Sequence, residues 1–467
     1  MRTKLATLAT ALTLSVSTAL ADLADPFATG DLTAKSQAAS INKPIMLSPC
    51  DFANMDKAPL SLPDVVERAL CNNPQTREAW ANARAQAAQV GVSGSAYLPS
   101  INATGSLTHN ETSSATYNQQ NLGLSLGYLL YDFGGRDATL ENAKQVLDAV
   151  NATQDTTIQS VFLSAVLAYY QLFATQAAVD STKEAEKSGL ESFNAAAARY
   201  GVGAGTPADK LQPQTAYSQA VLNRIRAEGD ARNAQGSLAN VMGLDANQAL
   251  EIAPPLARTP DEQFEEDVAR LIEEARKNRP DLAAAEAQIK AAQANVEAVK
   301  ASGMPSISLT TNLNHSDTTI SSTTNGSALG VSVSIPLFTG FNTTYRTQAA
   351  QAQVETRTAQ RDRLSQQVAL DVWKAYQGLI TQTQSLKTSA DLVASASQSE
   401  RVALGRYKAG VGNILDVLTA QSALASARQQ NIQALYGWYT ARSTLAQAVG
   451  QLDFSIIDSS QDRKSVV

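Results

Sequence analysis

The sequence predicts an α+β membrane protein, with a long coiled-coil helical barrel continuous with a transmembrane β-barrel. Three features of the 467 residues support this fold class. Two stretches of about 65 residues have the apolar periodicity of helices, two pairs of shorter segments alternate as strands do, and the whole pattern occurs twice. We therefore expect four strands per chain, closed as a trimer into about 12 strands, and an internal two-fold repeat.

The clearest sign of the repeat is a motif that returns after about 207 residues. It covers residues 199–211 and residues 406–418, and each copy starts with Arg-Tyr. Gly203 and Gly410 suit the left-handed backbone that ends a helix, and a good capping residue follows each of them. Both copies are predicted helix–turn–helix tips. An acid at the capping-box position follows each cap: Asp209 in the first copy and Asp416 in the second.

The start of the chain has the features of a signal peptide over residues 1–21: a positively charged start, an apolar run and Ala-Leu-Ala before the cleavage point. The rest has no apolar run of about 18 residues, so we expect no transmembrane helix there. The repeat sets the remaining boundaries. An extended segment covers residues 22–60, the first repeat 61–245, an equatorial linker 246–262, the second repeat 263–450 and a tail 451–467.

The charge balance excludes one class of partner. The chain has 43 acidic residues, 37 basic residues and a formal net charge of −6. Removal of the signal peptide also removes two of the basic residues. A basic surface is the usual mark of nucleic-acid binding, so we expect no nucleic acid as a partner.

The two cysteines, Cys50 and Cys71, would both be exported to an oxidising compartment. A disulfide between them would tie the N-terminal segment to the first helix. Free thiols are the alternative.

Each half is predicted to contain an interrupted entry helix, a long helix and a return helix. Ser61 suits the first cap, and a proline after Asn73 and after Arg279 interrupts both entry helices. The long helices run from about Gly135 and Asn342 to the Arg-Tyr of each tip. At 1.5 Å per residue each would be about 100 Å long.

Two pairs of strands are predicted between these helices. In the stronger strand of each pair, apolar residues alternate with small or polar ones, from Leu122 to Leu130 and from Leu329 to Leu337. Their weaker partners begin near Ile101 and Ile307, and predicted loops cover residues 109–121 and 315–327. The length and alternation are typical of strands that cross an outer membrane, with soluble hairpins as the alternative. Because four strands would leave open edges in lipid, closure requires further copies of the chain.

These features together resemble the TolC family of outer membrane efflux and secretion channels over residues 61–450. The resemblance rests on the export signal, the repeat, the proline breaks, the strand-to-helix passage at residues 130–136 and the two tips. The acidic chain and its cysteines look most like the branch that serves type I protein secretion, the CyaE-like proteins. The family implies a homotrimer in outer membrane lipid that works with a periplasmic adaptor and an inner-membrane pump or ABC transporter.

The resemblance also implies a periplasmic gate at the tips. Transferred by position, Tyr407 and Asp209 would link the two hairpins, and Asp416 would form a three-fold carboxylate ring. The family prototype has an Arg where this chain has Gly412 and an Asp where it has Thr419, so the closing network should differ here. Residues expected to contact the adaptor lie on both tips: Arg199, Gly203, Gly205, Arg406, Gly410 and Gly412.

Simpler interpretations of the tip residues remain open. Asp209 and Asp416 could act only as helix caps, each stabilising a helix start by about 0.5–2 kcal/mol. Tyr407 could be only the last apolar contact of its helix. His109 and His315 match in the repeat but have no acidic or thiol companions, so solvated residues are a better interpretation than a metal site.

No catalytic motif is found: the sequence contains no nucleotide-binding loop, no metal-ligand cluster and no plausible His-based triad. We therefore expect no enzyme activity and no cofactor. The predicted function is a passive conduit for type I protein secretion or efflux. Multidrug or metal efflux by the same architecture is the alternative, and a surface coiled-coil adhesin or a diffusion porin fits less well.

Overall fold

The computed structural model describes residues 25–34, 59–248, 250–255 and 267–453. The predicted signal peptide, most of the extended N-terminal segment, most of the linker and most of the tail lie outside these residues, as does Cys50. The helices are α1 (Asp31–Ala34), α2 (Leu62–Asn72), α3 (Pro74–Ser95), α4 (Gly135–Gly201), α5 (Pro207–Val241), α6 (Val268–Asn278), α7 (Pro280–Ala301), α8 (Asn342–Lys408) and α9 (Ile414–Val449). The strands are β1 (Ser100–Glu111), β2 (Thr116–Tyr131), β3 (Ser306–Thr318) and β4 (Ser321–Ser334).

The described chain divides into two compact units. The strand unit contains residues 25–34, 81–152 and 283–362, and the helical unit contains residues 59–80, 153–248, 250–255, 267–282 and 363–453. All four strands belong to the strand unit. Both helical tips belong to the helical unit.

The four strands form one antiparallel sheet in the order β1-β2-β3-β4. Ile101 lies opposite Leu126, and Leu124 lies opposite Leu313. β1 and β4 are the outer strands, so each has one backbone edge without a partner among the described residues. An open edge of this length needs either a covering element or another strand.

The strands are longer than the sequence predicted. The predicted loops at residues 109–121 and 315–327 are mostly strand, and only residues 112–115 and 319–320 connect the paired strands. The loop prediction was wrong because Asn, Gln, Ser and Thr dominate these segments and hide the apolar alternation. Backbone ladder bonds do not depend on that alternation, so polar residues continue the hairpins.

The helix breaks fall where the prolines predicted them. α2 ends at Asn72 and α3 begins at Pro74, while α6 ends at Asn278 and α7 begins at Pro280. The side-chain amide of Asn73 donates to the carbonyl of Val241 at 2.9 Å. Arg279 binds Asp281 at 2.6 Å and Asp371 at 3.3 Å. The proline interrupts the helix in each half because it disfavours helical backbone at the residue before it. That preceding residue, Asn73 or Arg279, then holds the break in place through its side-chain hydrogen bonds.

The two long helices α4 and α8 each contain 67 residues, and the interrupted pairs match in length as well, with 11 residues in α2 and α6 and 22 in α3 and α7.

α4 contains an 18-residue window with mean hydropathy 1.3, of which half is buried. By length and composition α4 could therefore cross a membrane, although the sequence was expected to contain no such helix. Half-burial is typical of a core helix, so this is weak evidence for a membrane helix.

The main core lies in the helical unit. Tyr169 is buried there and its hydroxyl donates to the carbonyl of Ala253 at 2.7 Å, while Tyr170 stacks on Tyr439 with ring centroids 4.8 Å apart. The strand unit has a much smaller cluster of buried apolar residues: Ala87, Val90, Ala143 and Leu147. Most apolar side chains of the sheet therefore do not contribute to a core within the chain.

Candidate functional sites

One face of the sheet is apolar over most of its height. The register places the following side chains on it: Ile101, Ala103 and Leu107 on β1; Leu122, Leu124 and Leu126 on β2; Leu309 and Leu313 on β3; Leu329, Val331 and Val333 on β4. Along β2, Leu122 and Leu124 are exposed. The residues that alternate with them, Asn121, Gly123 and Ser125, are partly buried. A water-soluble sheet has the opposite arrangement.

The other face carries only uncharged residues, most of them small or polar. Its central positions are Asn102, Thr104 and Ser106 on β1; Gln119, Asn121, Gly123 and Ser125 on β2; Thr310, Asn312, Asn314 and Ser316 on β3; Gly326, Ala328, Gly330 and Ser332 on β4. Neutral hydrogen bonds cross three strands here. Asn121 donates to the Ser106 hydroxyl at 3.3 Å, and Gln119 donates to Asn121 at 3.1 Å and to the Ser316 hydroxyl at 3.3 Å.

An apolar face with mostly exposed side chains, opposite a face of small and uncharged polar residues, suits a sheet with lipid on one side and water on the other. The sequence predicted the alternation. It did not show which strands lie side by side, because that depends on how the strands pair.

A matched pair of aromatic residues marks the passage from strand to helix. Phe133 and Phe341 have positive φ angles of 54° and 63°, which only a few non-glycine residues adopt. The Phe133 ring packs edge-on against Tyr131 at 4.8 Å, and Phe341 packs against Phe338 at 5.6 Å. Two consecutive residues with positive φ therefore follow each strand pair, Phe133–Gly134 and Gly340–Phe341, with Phe first in one and second in the other, and both Phe rings are exposed.

Arg136, in the first passage, is held by the chain. Its guanidinium donates to the carbonyl of Leu129 at 2.8 Å and lies over the Tyr97 ring at 4.9 Å. Its backbone N–H donates to Asp132 at 2.7 Å.

The first helical tip has the geometry that its sequence predicts. Gly203 has a φ of 75°, and Thr206 caps α5. The Asp209 carboxylate accepts hydrogen bonds from the Thr206 N–H and the Thr206 hydroxyl, both at 2.8 Å. These two bonds, with a smaller contribution from the charge of Arg199, lower the pKa of Asp209. Asp209 is therefore a helix cap within this chain.

The second tip departs from this pattern. Gly410 has a φ of 80°, and Asn413 caps α9 by accepting from the Leu415 N–H at 3.1 Å. Asp416 makes no capping box, so that prediction was wrong for this copy. The Asn413 oxygen accepts from the second helical residue, Leu415, and not from the third, Asp416, so the reciprocal pair of bonds seen between Thr206 and Asp209 does not form. Asp416 is exposed and has no hydrogen bond or ion pair to any described residue.

Tyr407 is 7% exposed and packs against Ile414 and Val417. The Arg199 guanidinium lies 5.0 Å above the centre of its ring, and an Arg199 N–H lies 3.5 Å from the Tyr407 carbonyl oxygen. Asp209 makes no hydrogen bond to Tyr407 in the described chain. Arg199, placed among the adaptor contacts from the sequence, thus joins the two hairpins at their tips, where Asp209 was expected to do so.

Gly412 has a steric reason to be glycine. A Cβ at this position would lie 2.9 Å from the Tyr407 nitrogen and 3.1 Å from the carbonyl carbon of Arg406. Its counterpart Gly205 is less restricted, because a Cβ there would be 3.6 Å from the Tyr200 nitrogen. The backbone therefore passes closer to the helix end at the second tip, and any side chain at position 412 would require this turn to shift.

Cys71 is disulfide-bonded, and Cys50 is the only other cysteine in the sequence. Because Cys50 lies outside the described residues, the pairing of these two cysteines remains a prediction.

The two histidines lie on strands, not in loops. The Nδ1 atom of His109 lies 2.7 Å from the Asn118 side-chain oxygen, and that of His315 lies 2.6 Å from the Asn325 side-chain oxygen. Among the described residues, no group of three or more His, Cys, Asp and Glu side chains could hold a metal ion.

Sequence reasoning missed Asp155 in α4. One of its carboxylate oxygens is buried without a hydrogen-bond partner in the described chain. Burial raises its pKa from the usual 3.8 to about 7. A lone Asp among Gln and Thr residues has no distinguishing pattern in the sequence.

The strand faces and helical tips define a membrane channel protein with long helical hairpins. The family model described as outer membrane efflux protein matches residues 65–244 and 271–451, and the chain belongs to this family. It is an outer membrane channel protein of Gram-negative bacteria, of the kind that tripartite export systems use, and it extends into the periplasm.

Individual relatives agree with this assignment. CyaE of Bordetella pertussis is 31% identical over 408 residues, which are 85% of this chain and 86% of CyaE. The outer membrane efflux protein BepC of Brucella suis is 26% identical over 403 residues, 84% of this chain and 86% of BepC. The CmeC outer membrane channel of Campylobacter jejuni has the same fold, with a TM-score of 0.75 at 19% identity over 84% of this chain and 85% of CmeC.

Proposed function

We propose that three copies of the chain close their sheets into one twelve-stranded barrel, which forms the passive outer membrane conduit of a type I protein secretion machine. In this proposal the two halves of the chain are copies of one unit, each supplying two strands and one helical tip. The chain performs no chemistry, and the energy for transport comes from an inner-membrane pump that reaches the conduit through a periplasmic adaptor.

The observation that carries this proposal is a sheet with a largely exposed apolar face, an uncharged and mostly polar face opposite it, and two unpaired outer edges. In lipid the unpaired N–H and C=O groups of β1 and β4 would each cost several kcal/mol, about the cost of a polar group without a partner. Pairing β4 of one copy with β1 of the next removes this cost. About twelve strands enclose a space wide enough for a channel, whereas four do not.

The tips suit contact with another helical protein. Their apolar residues include Val202, which is 80% exposed, and Val411, which is 71% exposed. Leu211 and Leu415 are exposed on the first turns of the return helices. The neighbouring gate would consist of the Asp416 carboxylates and the Arg199–Tyr407 contact, with Asp209 stabilising the first turn of α5.

The similarity to CyaE favours a protein cargo. Drug or metal efflux remains the alternative, since BepC is named an efflux protein and the pump would select the cargo. Deletion of the gene, followed by a comparison of secreted proteins and of drug sensitivity, decides between them. Loss of one secreted protein with unchanged drug sensitivity is the result expected for type I secretion.

Purified protein in a planar bilayer tests the conduit itself. We expect stepwise conductance from the wild type. A matched pair of variants tests the orientation of the sheet: Ser125→Asp on the polar face should still insert, while Leu124→Asp on the apolar face should not. A charge on the lipid face of a barrel costs up to about 2–4 kcal/mol for Lys or Arg and somewhat less for Asp, in each of three copies. Equal insertion by both variants, or no conductance from the wild type, would contradict the proposal.

A further inference from the structure

We infer that the polar face of the sheet is a charge-neutral lining, so that the strand part of the conduit admits an extended polypeptide of either net charge. This inference rests on the proposed function and adds a property of the passage: its strands contain no charge filter. The charged groups of any filter must then lie outside the sheet.

The first observation is the composition of the polar face. Along all four strands, every residue on this face is uncharged: apart from Leu129 near the end of β2, all are Ser, Thr, Asn, Gln, Gly, Ala or Tyr. These positions could accommodate acids or bases at little cost, because they face water in the proposed barrel. A neutral surface on a protein whose sequence is 17% charged therefore needs an explanation.

The second observation is the location of the charged and chargeable residues of the strands. Only four occur: His109 and Glu111 near the end of β1, and His315 and Asp317 near the end of β3. All four share the register of the apolar face, since His109 lies opposite Asn118 and His315 lies opposite Leu122. They lie close to the hairpin turns, where the apolar stretch ends.

The third observation is that the groups on the polar face are bound to one another. The hydrogen bonds among Ser106, Asn121, Gln119 and Ser316 hold neutral amides and hydroxyls in place without an ion pair. Such groups can exchange hydrogen bonds with water or with a passing peptide. They create no net potential, whereas a charged lining between low-dielectric walls concentrates ions of one sign by about tenfold or more.

Cysteine accessibility tests the inference without relying on the state of the tips. The Asn312→Cys variant in outer membrane vesicles is treated with a cationic and, separately, an anionic methanethiosulfonate. The rate at which each reagent modifies the cysteine is then divided by its rate with a small free thiol in solution, which gives a corrected rate. A neutral lining predicts corrected rates within about threefold of each other. Wild-type protein measures any reaction of the native cysteines.

A second introduced change calibrates the assay. With Asn314→Asp added two positions along the same face, the corrected rates should shift by about threefold or more toward the cationic reagent, because a unit charge at about 7 Å in water contributes about 0.6 kcal/mol. A strong preference in Asn312→Cys alone would refute the neutral lining and leave the channel intact. No reaction with either reagent would also refute it, because the residue would then not face water.

The neighbouring residue separates failure of this inference from failure of the proposed function. Leu313→Cys lies on the opposite face and should react with neither reagent in vesicles. If it reacts as fast as Asn312→Cys with both, the sheet does not lie in lipid and the proposed function is wrong.

Discussion

Arg199 lies over the ring of Tyr407, with 5.0 Å between the guanidinium carbon and the ring centre. The two residues end different long helices, so this contact joins the first helical hairpin to the second. Tyr407 is buried against Ile414 and Val417, which leaves Arg199 as the movable partner. Cation–π contacts of this type contribute about 0.5–2 kcal/mol, enough to bias a gate but not to lock it.

Arg199→Ala should therefore raise the resting conductance of channels in a planar bilayer. A loss of about 1 kcal/mol per chain would increase the open fraction several-fold. The resting conductance of Arg199→Lys should lie between those of the wild type and Arg199→Ala, because lysine keeps the charge but lacks the planar guanidinium group. Arg406→Ala is the matched control: it removes the arginine at the same place in the second tip, which is exposed and makes no side-chain hydrogen bond or ion pair with a described residue. An equal effect of both alanine variants would show that net charge, not this contact, controls the gate.

Asp416→Asn should weaken cation preference and block by multivalent cations applied from the tip side. In the proposed trimer, three Asp416 carboxylates would lie near the pore axis, where they would repel one another by about 1 kcal/mol per pair in water and attract cations. Asp209→Asn is the control, because Asp209 is bound to Thr206. It should lower the unfolding temperature slightly, because the first turn of α5 loses its capping-box acid, and leave selectivity unchanged. Unaltered selectivity in Asp416→Asn would remove this residue from the gate.

The disulfide-bonded state of Cys71 makes a prediction for thiol chemistry. Exported protein should not react with a maleimide when native, nor when denatured without reductant, and should gain two labels per chain after reduction. The loop model gives about 3 kcal/mol for a cross-link of this size, so reduction should also lower the unfolding temperature. Immediate labelling of both cysteines in the native protein would refute the bridge between Cys50 and Cys71.

Asp155 should make stability depend on pH. Its pKa is raised from 3.8 to about 7 by burial, so the folded protein holds this proton more tightly than the unfolded chain. The stabilising contribution is complete below about pH 4 and disappears as the pH rises through about 7. Asp155→Asn, which cannot ionise, should be more stable than wild type at pH 8 by about 1–3 kcal/mol per chain, with little difference at pH 4. If the stability difference between Asp155→Asn and the wild type in thermal melts stays constant from pH 4 to 8, the pKa of Asp155 is not raised in the assembled protein. The carboxylate would then have a partner there that stabilises its charge.

The sequence predicted the features that depend on local chemistry. Prolines after Asn73 and Arg279 set the helix breaks, and Gly203 and Gly410 adopt the left-handed backbone of the tips. Features that depend on contacts between distant segments were not predicted. The Arg199–Tyr407 contact joins residues about 208 positions apart, and no local pattern shows which of several tip residues will meet. The missing capping box at Asp416 depends on which backbone N–H the Asn413 oxygen accepts from, and the residue types do not decide that.

The native mass of the detergent-solubilised protein tests the central claim most directly. Light scattering with a correction for bound detergent should give about three times the chain mass of 49.3 kDa, slightly less after removal of the signal peptide, because four strands cannot close a barrel. Circular dichroism on the same sample should show that the strands are intact. A homogeneous monomer that retains its strand signal would contradict the closure of three sheets into one barrel.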